Sequence, residues 1–403
     1  MTRRPSPPAN QRAVRRHNLG VVLRHVVARG PRSRATIALE TGLNKSTVSS
    51  LVTELIELGL LSERGAERTG VVGRPGLVVE LAGEGAVGLG LEVGVDYLAV
   101  HATDLTGAVR HHRQDARDNR GRPAEEVLDR LGALARDALA GLHADGLRPA
   151  GVTVALPGLV DVASGTLLVA PNLHWEDFPA VAAVAERLGE PLPVSADNEA
   201  NLSALAERWD GAGRDVHDFL HVSGEVGVGA GIVLGGELFR GTRGFGGELG
   251  HVTVDPDGRE CACGSRGCLE TKVGLEALVA AAGARDPRDL LARARAGDAA
   301  VVAALRDGGR WLGIGAAGVA NLLDLQAVVL GGYFATLAEW MQAGVVEELH
   351  ARVLGPSWAV PRVIASDLGP EAAVRGAAAQ VLHVVLANPA ALGEAPPVAA
   401  SAR

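Results

Sequence analysis

Gly247-Glu248-Leu249-Gly250-His251, followed by Cys261-Ala262-Cys263-Gly264-Ser265-Arg266-Gly267-Cys268-Leu269-Glu270, contains all three cysteines of a 403-residue chain. Two cysteines one residue apart, a third five residues on and a histidine upstream supply three thiolates and an imidazole, the donor set of a closed tetrahedral zinc site. Gly264 and Gly267 let the chain turn tightly round an ion. His251, Cys261, Cys263 and Cys268 are therefore the expected metal ligands, with zinc as the expected cofactor. Four protein ligands leave no coordination position for a reactant, so the expected role is structural. The bland alternative is three reduced thiols in a buried loop. Three clustered cysteines do not make a disulfide framework.

Around this stretch the pattern is α/β. Val87–Leu91, Tyr97–Ala102, Gly151–Ala155 and Ala327–Leu330 read as apolar strands, Ala124–Leu142 as a helix, and residues 275–310 and 371–387 as longer helices. Two lobes around a cleft account for the length. Apolar residues make up 47 % of the chain, enough for large cores, yet no uninterrupted apolar run reaches membrane-spanning length and the first residues hold no apolar segment ending in a small-residue cleavage site, so neither a membrane span nor a signal peptide is expected. A cytoplasmic protein without a membrane partner is expected.

Charge divides the chain unevenly. Residues 1–84 hold 13 Lys and Arg against 7 Asp and Glu, a net of +6; the total of −8 leaves −14 for the remainder. Such a basic segment is suited to phosphates, although a solvated basic tail has the same composition. Residues 1–16 are rich in Pro and Arg and lack apolar periodicity, so a flexible basic arm is expected there. A first helix is expected from His17 to the Gly30-Pro31 stop. Ser33 caps a second to about Glu40, Gly42 supplies the turn, and Asn44 caps a third to about Glu57. Val48, Leu51, Val52 and Leu55 form the buried stripe of that third helix. Lys45, Ser46, Thr47, Ser49 and Ser50 then face outward, as phosphate and base-edge contacts of a recognition helix would. Ser62–Leu81, with a Gly73–Gly76 turn, reads as a wing whose Arg74 is aimed at the minor groove. Residues 17–84 thus form an expected winged helix-turn-helix DNA-binding domain. Three-helix units of this kind also serve as protein-interaction modules.

Residues 85–390 resemble the ROK family of bacterial sugar kinases and sugar-responsive repressors. The resemblance implies a two-lobed, actin-like (ribonuclease H-like) ATPase-type fold over residues 85–403, with the zinc site in 247–270. It also implies that Glu248, His251 and Glu270 face a sugar, His251 ligating zinc as well through its other ring nitrogen. Asp197-Asn198-Glu199-Ala200-Asn201 matches the kinases' Asn-Asp-Ala-Asn, whose aspartate is the general base. Glu199 replaces that aspartate, so Asn198 and Glu199 are expected to bind sugar, with no catalytic residue. An added methylene displaces the carboxylate by about an ångström, enough to cost roughly a hundredfold in rate. The kinases' phosphate loops, Asp-x-Gly-Gly-Thr and Gly-Thr-Gly-x-Gly, stand here as Glu92-Val93-Gly94-Val95-Asp96 and Glu225-Val226-Gly227-Val228-Gly229. Carboxylates and a valine replace groups that accommodate a triphosphate. Asn172 and His174, in a further matching segment, read as loop caps as readily as sugar contacts.

These features lead to the expectation of a sugar-responsive transcriptional regulator, a repressor of carbohydrate uptake or catabolism genes. Its partners would be double-stranded operator DNA, a small sugar and a second copy of itself, as homodimer or homotetramer. The alternatives are an active ROK-type sugar kinase with an accessory DNA-binding domain, and a zinc-stabilised scaffold without ligand.

Overall fold

The computed structural model describes residues 10–65, 77–355 and 357–393. Helix α1 (Gln11–Arg29) begins six residues before the expected His17. The Asn10 side chain caps it, accepting the Ala13 amide at 2.8 Å. The added turn carries no apolar stripe because its partners are polar: Arg15 donates to Ser50 at 3.1 Å and pairs with Glu54. The arm expected over residues 1–16 is thus helical from Gln11 onward, and residues 1–9 lie outside the described residues.

Strand β1 (Arg32–Ser33) leads into α2 (Arg34–Thr41), capped by Ser33, whose hydroxyl accepts the Thr36 amide at 3.1 Å. Gly42 takes the left-handed conformation, and Asn44 caps α3 (Lys45–Glu57) by accepting the Thr47 amide at 2.8 Å. Val48, Leu51, Val52 and Leu55 form its buried stripe, as expected. Strands β2 (Leu61–Arg64) and β3 (Val78–Leu81) pair antiparallel and, with β1, make a sheet of order β1-β3-β2. The Gly73–Gly76 turn and Arg74 lie outside the described residues.

Two lobes follow. The first contains β4 (Ala86–Val93), β5 (Tyr97–Asp104), β6 (Val109–Ala116), α4 (Ala124–Ala144) and β7 (Arg148–Leu156). A small sheet of β8 (Leu159–Asp161), β9 (Thr166–Ala170) and β10 (Trp175–Phe178) comes next, then α5 (Ala180–Arg187) and β11 (Val194–Asn198). After α6 (Glu199–Asp210), the second lobe runs through β12 (Phe219–Gly224), β13 (Val228–Leu234) and β14 (Glu237–Phe239). Helices α7 (Glu270–Val273), α8 (Leu275–Ala281), α9 (Pro287–Arg295) and α10 (Ala299–Leu323) follow, then β15 (Ala327–Gly331), α11 (Gly332–Thr336), α12 (Ala338–Arg352), β16 (Arg362–Ala365) and α13 (Ala372–Ala387). The helical stretch expected over 275–310 is therefore divided among α8, α9 and α10.

The two large sheets repeat one plan. Their orders are β11-β7-β4-β5-β6 and β14-β13-β12-β15-β16, each an antiparallel three-strand meander extended by two parallel strands. Every residue of β4, β12 and β15 is buried, as expected for strands covered on both faces. Edge strand β6 is polar and mostly exposed, which blunts an otherwise open row of backbone groups.

Helix α13 returns from the second lobe to the first, and its end enters a core with the N-terminal helices. Leu382, Val385 and Leu386 pack with Leu19, Leu23, Val52 and Leu55, joined by Ala86 and Leu105. Arg24 also donates to the Leu386 carbonyl at 3.1 Å. Apolar packing therefore runs across the expected limit at residues 84 and 85.

Candidate functional site

The cysteine loop closes as its spacing suggests. His251, Cys261, Cys263 and Cys268 bring one ligating atom each to within 4.8 Å of the others. His251 Nδ1 lies 3.8 Å from Cys261 Sγ, and Cys263 Sγ lies 3.8 Å from Cys268 Sγ. Two sulfurs on one tetrahedral zinc stand about 3.8 Å apart, so the donor set fits that ion without rearrangement. Burial pushes the Cys261 thiol up to about 12 and also raises Cys268, whereas the Ser265 backbone amide lowers Cys263. Gly267, at φ 68°, is where the loop is tightest: a Cβ there would sit 1.6 Å from the Asp255 carbonyl oxygen.

His251 also faces the cleft between the lobes. Its Nε2 lies 4.0 Å from a Glu248 carboxylate oxygen while Nδ1 faces Cys261, so one ring serves both neighbours. Asn198, Glu199, Glu248, His251 and Glu270 line one cavity of about 80 Å³. Glu270 accepts the Val228 amide at 2.9 Å, and a Cβ at Gly227 would come within 2.4 Å of that same carboxylate oxygen. Asn198 is first a helix cap: its side-chain oxygen accepts the Ala200 and Asn201 amides at 2.9 and 3.1 Å, and its nitrogen donates to the Gly158 carbonyl at 2.9 Å. Asp197 is buried, with Arg240 bound to both carboxylate oxygens at 3.0 and 2.5 Å.

Toward the first lobe the same cleft turns acidic. Glu92, Glu199 and Glu225 each place a carboxylate oxygen within 4.8 Å of the other two. The Tyr97 hydroxyl donates to Glu92 at 2.5 Å and lies 3.5 Å from Glu225. Burial and the Glu92 and Glu248 carboxylates push Glu199 up to about 8; burial, with Glu199 and Asp96, raises Glu225, and burial, with Glu225, raises Glu92. Like charges this close cannot all ionise in a buried site, so the cluster holds protons at neutral pH. Whatever carboxylate stays ionised there repels a polyphosphate unless a cation lies between them. Val226 packs against the core of the first lobe and offers no donor.

On the N-terminal helices, Lys45, Ser46, Ser49 and Ser50 are exposed and Thr47 half-buried along the outer side of α3. Two arginines brace this face. Arg34 donates to the Ser49 carbonyl at 2.8 Å and to Thr53 at 3.1 Å, and pairs with Glu63 at 2.7 Å; Arg15 pairs with Glu54. Each pairing offsets a carboxylate that would repel phosphate.

A family model described as the ROK family matches residues 88–384, most of the chain. The chain belongs to the ROK family. An IclR helix-turn-helix domain model matches residues 21–65. A putative xylose repressor from Caldicellulosiruptor sp. (strain Rt8B.4) is 33 % identical over 398 residues, covering 94 % of this chain and 99 % of that protein. Among solved structures, a ROK family transcriptional regulator, homolog of the E. coli MLC protein, matches with a TM-score of 0.80 at 27 % identity over 94 % of this chain and 100 % of its own. A ROK family glucokinase from Streptomyces griseus, in complex with glucose and AMPPNP, matches with a TM-score of 0.66 at 30 % identity over 74 % of this chain and 99 % of its own.

The two-lobed ROK fold behind a helix-turn-helix thus agrees with the sequence-based expectation. Some residues near the site escaped that reading. Asn172, set aside as a loop cap, lines the cavity with Pro157 and Gly158, whereas His174 lies beside a separate depression next to Trp175. Arg240, Arg34 and Arg15 carried no local signal; their partners are 43, 29 and 39 residues away.

Proposed function

We propose that this ROK chain is a sugar-responsive transcriptional regulator, a repressor of carbohydrate uptake or catabolism genes. Residues up to 84 read operator DNA and residues 85–403 hold the effector sugar. The observation that carries this reading is the two-ended cleft: Glu248, His251 and Glu270 present hydrogen-bonding groups at one end, while at the other Glu199 and Glu225 line the cleft in front of the buried Glu92, three carboxyls too close to ionise together. Such a cleft favours a neutral polyol over a nucleotide. The relative named as a xylose repressor, matched over nearly its whole length, makes xylose the first effector to test.

Lys45, Ser46, Thr47, Ser49 and Ser50 are the proposed groove and phosphate contacts of α3, with Arg74 of the wing as a minor-groove contact. His251, Cys261, Cys263 and Cys268 are the proposed ligands of one structural zinc ion, which when bound would fix the loop carrying His251 against the sugar end of the cleft. Glu199 is a proposed sugar ligand and not a general base. Closure of the lobes on sugar moves α13, and its packing on α1 passes that movement to the DNA-reading helices. Operator half-sites call for a dimer or tetramer. Leu322 and Leu354, tied together through Asn321, are 83 % and 94 % exposed and offer an apolar surface for that assembly. Among the described residues no helix is long and apolar enough to cross a membrane, which suits a protein working at DNA in the cytoplasm.

The kinase reading draws support from the glucokinase likeness. It requires a triphosphate to lie against the carboxyl cluster, which a divalent cation between them would have to permit. Thermal unfolding of the full chain against a panel of sugars and ATP separates the two, because specific binding raises apparent stability. A rise with xylose or another neutral sugar and none with ATP is expected; a rise with ATP and magnesium would favour the kinase.

A further inference from the structure

We propose that His101, His112 and Glu371 form a second metal site, for a divalent transition ion such as Zn²⁺, Co²⁺ or Ni²⁺, on the outer edge of the first lobe. His101 on β5 and His112 on β6 are cross-strand partners. Their Nδ1 atoms lie 3.4 Å apart, with ring centroids at 5.6 Å and planes inclined by 67°, so the ring edges converge rather than stack. Glu371 ends the short turn that leads into α13, and its Oε1 lies 3.4 Å from His112 Nε2, across that ring from the Nδ1 that meets His101, so it joins an ion held between the two Nδ1 atoms once its side chain turns. One ligating atom from each residue lies within 4.8 Å of the other two.

The spacings discriminate between an ion and a hydrogen-bonded chain. Good hydrogen bonds from ring N–H groups span about 2.7–3.2 Å, and both contacts exceed that. Two imidazole nitrogens bound to one tetrahedral ion, each about 2.0–2.1 Å from it, stand about 3.4 Å apart. His101 is 3 % exposed, and among the described residues its ring has no hydrogen-bond partner besides His112. Two imidazoles and a carboxylate are a donor set for ions of intermediate softness, with positions left over for water. The surrounding charge makes the site weaker than the cysteine loop: Arg375 faces His101, and Arg113, on the same strand, is only partly offset by Asp137 at 3.5 Å. An ion here would tie edge strand β6 to the first turn of α13, the helix whose other end packs on α1. This site depends on neither the sugar nor the DNA reading.

Co²⁺ titration of the full chain, purified free of metal, tests it. The cysteine loop should give intense near-ultraviolet thiolate charge transfer with the first equivalent, and a second equivalent should add weak visible bands without thiolate intensity. His112→Ala, at a half-exposed edge position, should lose the second equivalent, and Glu371→Gln should weaken it by roughly tenfold or more. Both should keep the first, whose signal reports that the fold is intact. No second equivalent at millimolar Co²⁺, or a second equivalent that survives in both variants, would overturn the proposal. A visible signal without any thiolate band would instead remove the cysteine site and leave this one standing.

Discussion

The two ends of the cleft share the same lobes and differ in how their polar groups are satisfied. At the end lined by Glu248, His251 and Glu270, Glu270 receives a backbone amide, His251 lies 3.8 Å from Cys261 and 4.0 Å from Glu248 through its two nitrogens, and Asp197 is matched by Arg240. At the other end Glu92, Glu199 and Glu225 face one another with a single hydroxyl, that of Tyr97, between two of them. The same two lobes thus frame one end of matched polar groups and one end of carboxyls that must share protons. Function has to be read from each end separately, not from the lobes that frame them.

The strongest way to break the contrast is to remove what holds the sugar end in shape. Cys268→Ser should reduce bound zinc from about one per chain to none and abolish sugar binding. Structural zinc in small sites contributes about 10–16 kcal/mol of apparent binding energy, comparable with the whole stability of a domain. Metal analysis finding no zinc in the wild-type protein, or unchanged zinc in the variant, would show that the loop needs no ion.

A second test addresses the carboxyl end. Sugar-dependent ATP hydrolysis should be undetectable in a coupled assay. Turnover on the kinase scale, about 1–100 per second, would mean that the carboxylates do not exclude phosphate and would erase the difference between the ends.

Glu248→Ala sharpens the comparison from the sugar side. Losing a hydrogen bond to a charged group, about 1.5–3 kcal/mol, should weaken sugar binding by roughly ten- to a hundredfold in a calorimetric titration. Unchanged affinity would place the sugar elsewhere.

The smallest effect concerns Glu199, pushed from the ordinary 4.5 to about 8. Its carboxyl is protonated in the folded chain and ionised in the unfolded one between those values. The stability linked to this group is therefore fully present below about pH 4.5, falls as pH rises, and is lost above about pH 8. Glu199→Gln removes the penalty. The variant should melt like the wild type near pH 4.5 and a few degrees higher at pH 8; a gain confined to acidic pH would contradict the assigned environment.

What was legible in the sequence was local. Cysteine and histidine spacing in 251–268 announces a cluster of four potential ligands, because all four donors lie within one turn-rich segment. The caps Ser33 and Asn44 announce their helices because each bonds an amide three residues on. Glu92, Glu199 and Glu225 were each anomalous against the kinase pattern, yet their meeting point depends on three elements from two lobes. The early start of α1 left such a cap too, Asn10 on the Ala13 amide, and was overlooked; the arginine partners and the packing of α13 on α1 were not legible. Each depends on a contact spanning tens to hundreds of residues, for which no periodicity or cap leaves a local trace.

The most direct test measures DNA and sugar together. A duplex selected by the protein from a randomised pool, labelled and titrated with and without saturating sugar, should bind with affinities differing by roughly 5- to 150-fold, the usual span of coupling between two sites. Lys45→Ala should weaken binding in both conditions, whereas Glu248→Ala should bind as tightly as the sugar-free wild type and ignore the sugar. Equal wild-type affinity with and without every sugar that binds, or loss of DNA binding by a folded Glu248→Ala protein, would contradict a sugar-sensing cleft that acts on a separate DNA-reading face.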